Sequence, residues 1–498
     1  SKDKGNSWKI ISPDLTTNDT SKQHQVESGG LTIDATGAEN YTTIVSITPS
    51  PKDPKVIWVG SDDGRLHLTT DGGENWTSLE GKLPEMPEGA WIPQIQASKH
   101  DVNEVFVVVN DYRRNNWKPY LYHSVDQGKS WNRIADEEDF PGYCLSVVQD
   151  PEQSNLLFVG TENGLYVSVD KGENWNHWNG GYPNVSTMDM VVQEREGDLI
   201  LGTFGRATYV LDNLDPLRQL ASEEQEKWTE KELYLFDIPD AYLVSSPPPT
   251  GRSFGGPDRF GGQNRPYGAR IYVHYNLPDT SAKKKKKAKV KIKSIEGEVI
   301  RNLEPQLENG INYFTWGLNG KRPRYANTEK TKKSREFGGR PILPGKYKIE
   351  ITVDKKTVVG EFEVKPDPRL DVGVEGYEMR QKRYDQAMSL MEDATKLCDR
   401  LRDCLSSIEK VKQLMPSKKS AARAEVMKLN NELEKKIQGY LDAILGKKDQ
   451  KGIIREQYVL MDRMYKLISS ATASLSGGEQ AFQNNFKIAL KMYEEHKS

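Results

Sequence analysis

Thr69-Thr-Asp71-Gly-Gly73-Glu-Asn-Trp76 is an eight-residue segment whose pattern, Ser/Thr-x-Asp-x-Gly-x-x-Trp, occurs four times in this chain of 498 residues. The copies lie at residues 1–8, 69–76, 124–131 and 168–175. The positions that define them are Asp3, Gly5, Trp8, Asp71, Gly73, Trp76, Asp126, Gly128, Trp131, Asp170, Gly172 and Trp175. A pattern that returns along a chain in this way indicates a structural repeat.

The residue types in the motif are those of a tight turn. An Asp carboxylate accepts backbone N–H groups across such a turn, Gly adopts the positive φ that a turn requires, and Trp fills space between neighbouring sheets. We therefore predict a structural and not a catalytic role for all four copies. A calcium site built from the same Asp residues is the alternative, but the additional ligands that calcium needs are lacking. No metal site and no cofactor are predicted.

Short apolar segments fill the intervals between the motifs. One unit contains candidate strands at residues 41–47, 56–60, 65–68 and 76–79, with the motif before the last of them. Four-stranded units that recur about every 40 to 50 residues are typical of β-propeller blades. The sequence therefore predicts a propeller-like first part of the chain.

The repeats do not add up to a full ring. Residues 41–212 account for three blades and three strands of another, and residues 1–11 are expected to supply one outer strand. Closing these on each other would give four blades, the lower end of the usual range. We favour an incomplete ring that begins before residue 1. The expected partner is then the N-terminal part of the same precursor, or another protein, because open sheet edges promote aggregation unless they are covered.

The pattern changes twice after the propeller. Residues 269–275, 288–293, 310–316 and 347–353 alternate apolar and polar residues as strands do, whereas apolar residues recur every three or four positions from Tyr384 onward. We predict a multidomain, mainly β chain: a partial propeller of about four blades (1–215), a linker with a short helix at 221–232 and a Gly/Pro/Arg-rich loop (216–268), an immunoglobulin-like β-sandwich (269–368) and an antiparallel helical bundle (375–498).

Composition excludes several classes of function. The formal net charge of -2 gives no general attraction to nucleic acid. No segment approaches the roughly 20 apolar residues of a membrane span. The three cysteines cannot form a disulfide framework. Phosphate-binding Gly loops, Ser nucleophile elbows and His-rich metal spacing are absent from the sequence.

The motifs resemble the Asp-box, or BNR, repeats of sialidases, xyloglucanases and the sortilin family. Residues 11–16, 37–41 and 202–220 are similar to large sortilin-like or BNR-repeat "glycosyl hydrolases", chiefly from Bacteroidetes. The segment 269–368 resembles the immunoglobulin-like domain of the flagellar hook-capping protein FlgD. These resemblances imply a bacterial protein that is secreted, exposed on the cell surface or periplasmic.

The resemblance also raises the question of catalysis. Sialidases commonly carry an Arg-Ile-Pro motif, which this sequence lacks, and no pair of carboxylates stands out as the acid and base of a glycosidase. We therefore predict no catalytic residues and a binding or assembly module that recognises a protein or glycan partner. The alternatives are a sialidase- or xyloglucanase-like glycoside hydrolase completed by missing N-terminal blades, and a sortilin-like peptide receptor.

Ligands of propellers usually meet the central mouth, which the first residues of the innermost strands surround. Aromatic side chains there stack on sugar rings or anchor a peptide, although packing between blades explains each of them equally well. The candidate ligand-binding residues are Glu39, Asn40, Tyr41, Trp91, Tyr143 and Thr187.

Overall fold

The computed structural model describes residues 1, 3–23, 41–222, 231–244, 265–276, 285–321, 323–327, 339–417, 420–447 and 459–497. The chain divides into two compact units, Ser1–Glu230 and Lys231–Ser498. Antiparallel sheets form the first unit. Sheets and helices together form the second. The predicted fold class, a multidomain and mainly β chain with a C-terminal helical region, is confirmed.

The described residues of the first unit form four antiparallel sheets, and the strands of each follow the order of the sequence. Sheet 1 consists of β1 (Ile44–Pro49), β2 (Ile57–Ser61), β3 (Leu66–Thr69) and β4 (Thr77–Ser78). Sheet 2 consists of β5 (Trp91–Ala97), β6 (Val105–Asp111), β7 (Asn116–Ser124) and β8 (Asn132–Ala135). Sheet 3 consists of β9 (Cys144–Gln149), β10 (Leu157–Thr161), β11 (Gly164–Ser168) and β12 (Asn176–His177). Sheet 4 consists of β13 (Thr187–Gln193), β14 (Asp198–Thr203) and β15 (Thr208–Leu211), and helix α1 (Asp215–Leu220) follows it.

Neighbouring sheets pack face to face, with separate cores between sheets 1 and 2, 2 and 3, and 3 and 4. Strand β6 shows why its sequence is continuously apolar: Val105 and Val107 pack towards sheet 1, whereas Phe106 and Val108 pack towards sheet 3. All four side chains are fully buried. A strand whose two faces are both covered loses the usual alternation of apolar and polar residues.

The four sheets form an open fan. The innermost strands β1, β5, β9 and β13 pack one against the next, but among the described residues β13 makes no comparable contact with β1. Strand β15 pairs only with β14 in the described part of the chain. The expected outer strand at residues 1–11 is not formed, since the described residues of this segment pair with no sheet edge. The Ile11 carbonyl instead accepts a hydrogen bond from Trp76 Nε1 at 2.8 Å.

The repeated motif forms the same turn at each copy. In the second copy, Asp71 Oδ1 accepts the backbone N–H of Asn75 at 2.9 Å and the hydroxyl of Thr69 at 2.8 Å. The Thr69 hydroxyl also accepts the N–H of Gly73 at 3.0 Å. Hydrogen bonds from the side chain and backbone of Ser130 lower the pKa of Asp126, in the third copy, to about 2. The glycines adopt positive φ: Gly5 +92°, Gly73 +96°, Gly128 +74° and Gly172 +91°.

The motif tryptophans differ in their surroundings. Trp131 is buried edge-on against Trp58, with ring centroids 6.2 Å apart, and Trp175 Nε1 donates to the carbonyl of Ile134 in the preceding sheet at 2.8 Å. Trp8 departs from the expectation that every copy packs between sheets, since 81% of its surface is exposed. No strand of the described residues includes the first motif.

The second unit begins with two sheets around one core. The smaller has the order β16 (Leu233–Leu235), β18 (Ala269–Tyr275), β23 (Gly310–Trp316). The larger has the order β17 (Ala241–Leu243), β25 (Lys356–Pro366), β24 (Gly345–Val353), β20 (Lys289–Ser294), β21 (Val299–Leu303). A ribbon of β19 (Lys286–Lys287) and β22 (Gln306–Leu307) lies beside them. Trp316 is fully buried in this core, and its Nε1 donates to the carbonyl of Asn319 at 2.8 Å.

The segment predicted as a linker, 216–268, takes part in these sheets. Strand β16 pairs with β18, and β17 pairs in parallel with β25. Buried Leu233 and Leu243 explain the difference, because their side chains belong to the core. A helix lies at Asp215–Leu220, before the predicted 221–232, of which 223–230 fall outside the described residues. Most of the Gly/Pro/Arg-rich loop also falls outside them, and the remaining predicted boundaries stay predictions.

The described residues from 374 onward form four helices: α2 (Val374–Leu414), α3 (Ala421–Leu445), α4 (Leu460–Thr472) and α5 (Glu479–Lys497). Met391, Cys398, Met464 and Phe482 meet in their shared core, each fully buried. The spacing of apolar residues along α2 therefore produces the expected stripe. Cys398 lies in this core as a small apolar residue, and burial raises the pKa of its thiol to about 11.

Candidate functional site

A cavity of about 220 Å³ lies in the first unit, where the innermost strands of sheets 1 and 2 begin. Because the strands are antiparallel, the ends of β2 and β6 reach the same rim as the starts of β1 and β5. Loop residues after these strand ends therefore converge with residues before the strand starts. The cavity is lined by Lys22, Tyr41, Asp62, Gly89, Trp91, Asn110, Asp111, Arg113 and Arg114.

Two local features of the backbone shape this cavity. The chain turns from β6 into β7 through a single 3₁₀ turn, Tyr112–Arg114, which ends at Asn115 in the left-handed conformation with φ 62°. On the opposite side Gly89 has φ +65°, and a Cβ there would lie 3.6 Å from the Tyr41 hydroxyl and 3.9 Å from Arg114 Nη1. Glycine at this position keeps the space between those two side chains open.

Two buried polar atoms in the lining have no hydrogen-bond partner among the described residues. Asn110 is 1% exposed; its Nδ2 donates to the carbonyl of Cys144 at 3.4 Å, but its Oδ1 accepts from no described group. The indole Nε1 of Trp91 is likewise buried without an acceptor. Such atoms are uncommon in folded proteins and carry an energetic cost. Both atoms belong to residues that line the cavity.

The charged residues of the cavity are held in different ways. Arg114 Nε donates to Asp111 Oδ1 at 2.6 Å. The guanidinium of Arg113 instead lies over the Trp91 ring, 4.5 Å from its centroid. Burial raises the pKa of the Asp62 carboxyl, although the backbone N–H of Thr43 donates to it at 2.7 Å and the charge of Arg113 opposes the shift.

A row of partly exposed aromatic rings continues from the cavity. We call Trp91, Tyr112, Tyr143 and Trp117 the aromatic strip. Tyr112 lies 6.2 Å from Trp91 and stacks on Tyr143 with centroids 4.8 Å apart; Trp117 follows 5.7 Å from Tyr143. Nearly half of the Trp117 surface is exposed. Aromatic faces in such a row suit the apolar faces of sugar rings or the side chains of a peptide.

The predicted ligand-binding residues fall into three groups. Tyr41 and Trp91 line the cavity, and Tyr143 lies in the aromatic strip. Glu39 and Asn40 lie outside the described residues. The expectation that Thr187 faces a ligand needs correction, because it is fully buried with its hydroxyl 2.7 Å from that of Tyr182. A Cβ on Gly160 would lie 2.5 Å from the Thr187 carbonyl oxygen, which shows how closely sheet 3 covers it.

Several lining residues were not singled out by the sequence patterns. They are Lys22, Asp62, Asn110, Asp111, Arg113 and Arg114. Their shared signal is position, because all but Lys22 lie at the end of an apolar strand or in the turn that follows it. Because β2 pairs antiparallel with β1, and β6 with β5, residues at the ends of β2 and β6 lie at the rim of the cavity. Asp62 and Asp111 are 49 positions apart in the sequence, and the fold brings both carboxylates to the lining of the cavity.

No group of three or more His, Cys, Asp and Glu side chains is arranged to hold a metal ion within the described ranges. None of the helices that the structure describes combines the length and apolar character required to cross a bilayer.

Comparisons with known proteins identify propeller proteins among the relatives and neighbours. No protein-family model matches the chain. The photosystem II stability/assembly factor HCF136 of rice, Oryza sativa subsp. japonica, is 27% identical over 136 residues, which cover 26% of this chain and 29% of that protein. The chain thus spans less than a third of this curated relative.

Two of the solved structures that match the chain are the following. YCF48 from Cyanidioschyzon merolae matches with a TM-score of 0.25 and 21% identity, covering 34% of this chain and 53% of that one. The GH74 xyloglucanase from Xanthomonas campestris matches with a TM-score of 0.27 and 15% identity, covering 36% and 30%.

Proposed function

We propose that this chain is a non-catalytic binding module whose ligand enters the cavity and extends along the aromatic strip. The observation that carries the proposal is the pair of unsatisfied buried atoms, Asn110 Oδ1 and Trp91 Nε1, beside a row of partly exposed aromatic rings. Ligand sites typically combine an apolar wall with a few converging polar groups. The cavity and the strip together offer that combination.

Glycan and peptide arrays probed with the whole chain test this proposal. Asn110→Leu removes the unsatisfied acceptor at similar size, and Trp117→Ala removes one ring of the strip. Phe204→Ala is the matched control, since Phe204 is 75% exposed and lines neither feature. We expect binding that Phe204→Ala retains and both site variants lose. Binding that survives both site variants would contradict the proposal, and peptide ligands alone would favour a sortilin-like receptor.

One observation favours a second function, glycoside hydrolysis. Asp62 and Asp111 both line the cavity, and burial raises the pKa of Asp62 as a general acid requires. The ion pair of Asp111 with Arg114 weakens this alternative, because that carboxylate is already engaged. Incubation with labelled polysaccharides decides between the two. Cleavage that Asp62→Asn and Asp111→Asn each abolish would establish a hydrolase in place of a binding module.

We also propose an assembly surface on the outer face of sheet 4. Cross-strand neighbours on this face form an apolar row: Val191, Ile200 and Val210. The corresponding row of sheet 3 is buried against sheet 4: Val148, Phe158 and Val167. Val191 and Val210 are more than half exposed. By analogy between the repeats, a further sheet covers the row, supplied by the N-terminal part of the same precursor or by another protein.

Mass spectrometry of the native complex, purified from its source, tests the assembly surface. A second polypeptide segment should accompany the chain and be lost when Val191→Asp and Val210→Asp are introduced together. A chain that stays monomeric with no bound segment would refute the surface. The sortilin-like or BNR membership, the FlgD-like domain and a secreted, surface or periplasmic bacterial location belong to the same proposal, which the sequence resemblance supports.

A further inference from the structure

One positive charge of the cavity, that of Arg113, has no ion-pair partner in the described part of the chain. Among the described residues, Arg114 is paired with Asp111, whereas Arg113 has no carboxylate within 4 Å and lies on the Trp91 ring. A guanidinium stacked on an aromatic face keeps its N–H groups free at the edges, where they suit a carboxylate. Lys22 lies over the Tyr41 ring on the same cavity, and its ammonium is paired with Asp19 at 3.5 Å.

Hydroxyl groups of a ligand would supply the hydrogen bonds that Asn110 Oδ1 and Trp91 Nε1 lack among the described residues. A hydroxyl both donates and accepts, so neighbouring hydroxyls on one ring can donate to Asn110 Oδ1 and accept from Trp91 Nε1. A carboxylate alone satisfies only the donors. The strip then offers Tyr112, Tyr143 and Trp117 to further rings of a polymer.

Resting on the proposed binding function, we infer that the ligand of this cavity is a sugar acid, the uronate unit of an acidic polysaccharide. Its carboxylate binds the Arg113 guanidinium, and its hydroxyls pair with Asn110 and Trp91. Adjoining sugar units lie along the aromatic strip.

Affinity measurements on the whole chain test the ligand class. The probes are polygalacturonate, alginate and hyaluronan, each beside its carboxyl-reduced counterpart, which keeps the backbone and loses the charge. We expect at least one acidic polymer to bind, its reduced form to bind about ten- to hundredfold more weakly, and added salt to weaken only the acidic form.

Variants assign the effect to one side chain. Arg113→Gln should cause a similar ten- to hundredfold loss for the acidic polymer and almost none for the reduced one. Arg195→Gln is the matched control, because Arg195 is 80% exposed on the hairpin after β13 and lines no part of the cavity. The control should bind as the natural chain does.

The outcomes separate this inference from the binding function itself. Three results would overturn the inference that the ligand is a sugar acid. They are equal affinity for the acidic and reduced polymers, unchanged binding by Arg113→Gln, and no binding of any acidic polymer. If a neutral glycan or a peptide then binds and Asn110→Leu abolishes it, the binding function stands without this ligand class. If no ligand responds to Asn110→Leu or Trp117→Ala, both are rejected.

Discussion

A buried carboxylate in sheet 2 allows the sharpest prediction about stability. Glu104 is 3% exposed, and its carboxylate lies 2.9 Å from His123 Nε2, 3.1 Å from Gln149 Nε2 and 3.1 Å from Lys171 Nζ. Burial raises the pKa of this carboxyl, but hydrogen bonds from His123 and Gln149 outweigh it, assisted by Ser98 and Lys171. The resulting pKa is about 2, compared with an ordinary 4.5.

Lowering a pKa from 4.5 to about 2 corresponds to about 3 kcal/mol of stability from the charged form. The folded chain binds the proton less tightly than the unfolded chain does. This contribution is therefore complete above pH 4.5 and is lost as the pH falls from 4.5 towards 2. We expect Glu104→Gln to lower the free energy of opening around β6 by about 2 to 3 kcal/mol at pH 7, with a smaller difference at pH 3.

Hydrogen exchange of the β6 amides measures this local free energy in the whole chain, so unfolding of the second unit does not interfere. Glu85→Gln is the control, because Glu85 is 76% exposed in its ion pair with Arg133 and should cost under about 1 kcal/mol. A loss below about 0.5 kcal/mol for Glu104→Gln, or a loss that does not shrink between pH 5 and pH 3, would refute the reasoning.

Two further predictions concern a motif glycine and the cysteines. Gly172→Ala places a Cβ 2.9 Å from Ile134 Cδ1 at φ +91°. Gly297→Ala has a similar φ of +94°, but its Cβ would meet open space. We therefore expect Gly172→Ala to lower the thermal midpoint of its unit clearly more than Gly297→Ala does. Equal shifts would show that close packing at the motif is unimportant. Iodoacetamide should label exposed Cys404 in the native chain but not Cys144, which is fully buried and whose thiol pKa burial raises to about 12. Prompt native labelling of Cys144, followed by mass spectrometry, would contradict the described core.

The sequence indicated the sheets and helices well because their signals are local. Each motif marks a turn, and the spacing of apolar residues distinguishes strands from helices. Strands β16 and β17 escaped this reasoning, because three residues carry too little pattern to stand out. Their place in the sheets depends on pairing with β18 and β25, which are remote in sequence.

The candidate site was only partly predictable for a related reason. Tyr41, Trp91 and Tyr143 were identified from strand starts, but the same rule also selected Thr187, whose surroundings are closed by sheet 3. Arg113 depended on the geometry of a turn that the pattern did not define. The unsatisfied atoms in the cavity arise from packing between sheets, which spacing along the chain does not report.

Helix α2 has a mechanical consequence. Its 41 residues extend for about 60 Å. Near its start Tyr377 is buried in the core of the two sheets, and its hydroxyl accepts the backbone N–H of Asp367 at 3.1 Å; further along, Met391 and Cys398 belong to the helical core. One rigid rod is thus anchored in both cores. A force applied to the last helices would be transmitted to the sheets, and the second unit should yield to tension as one body.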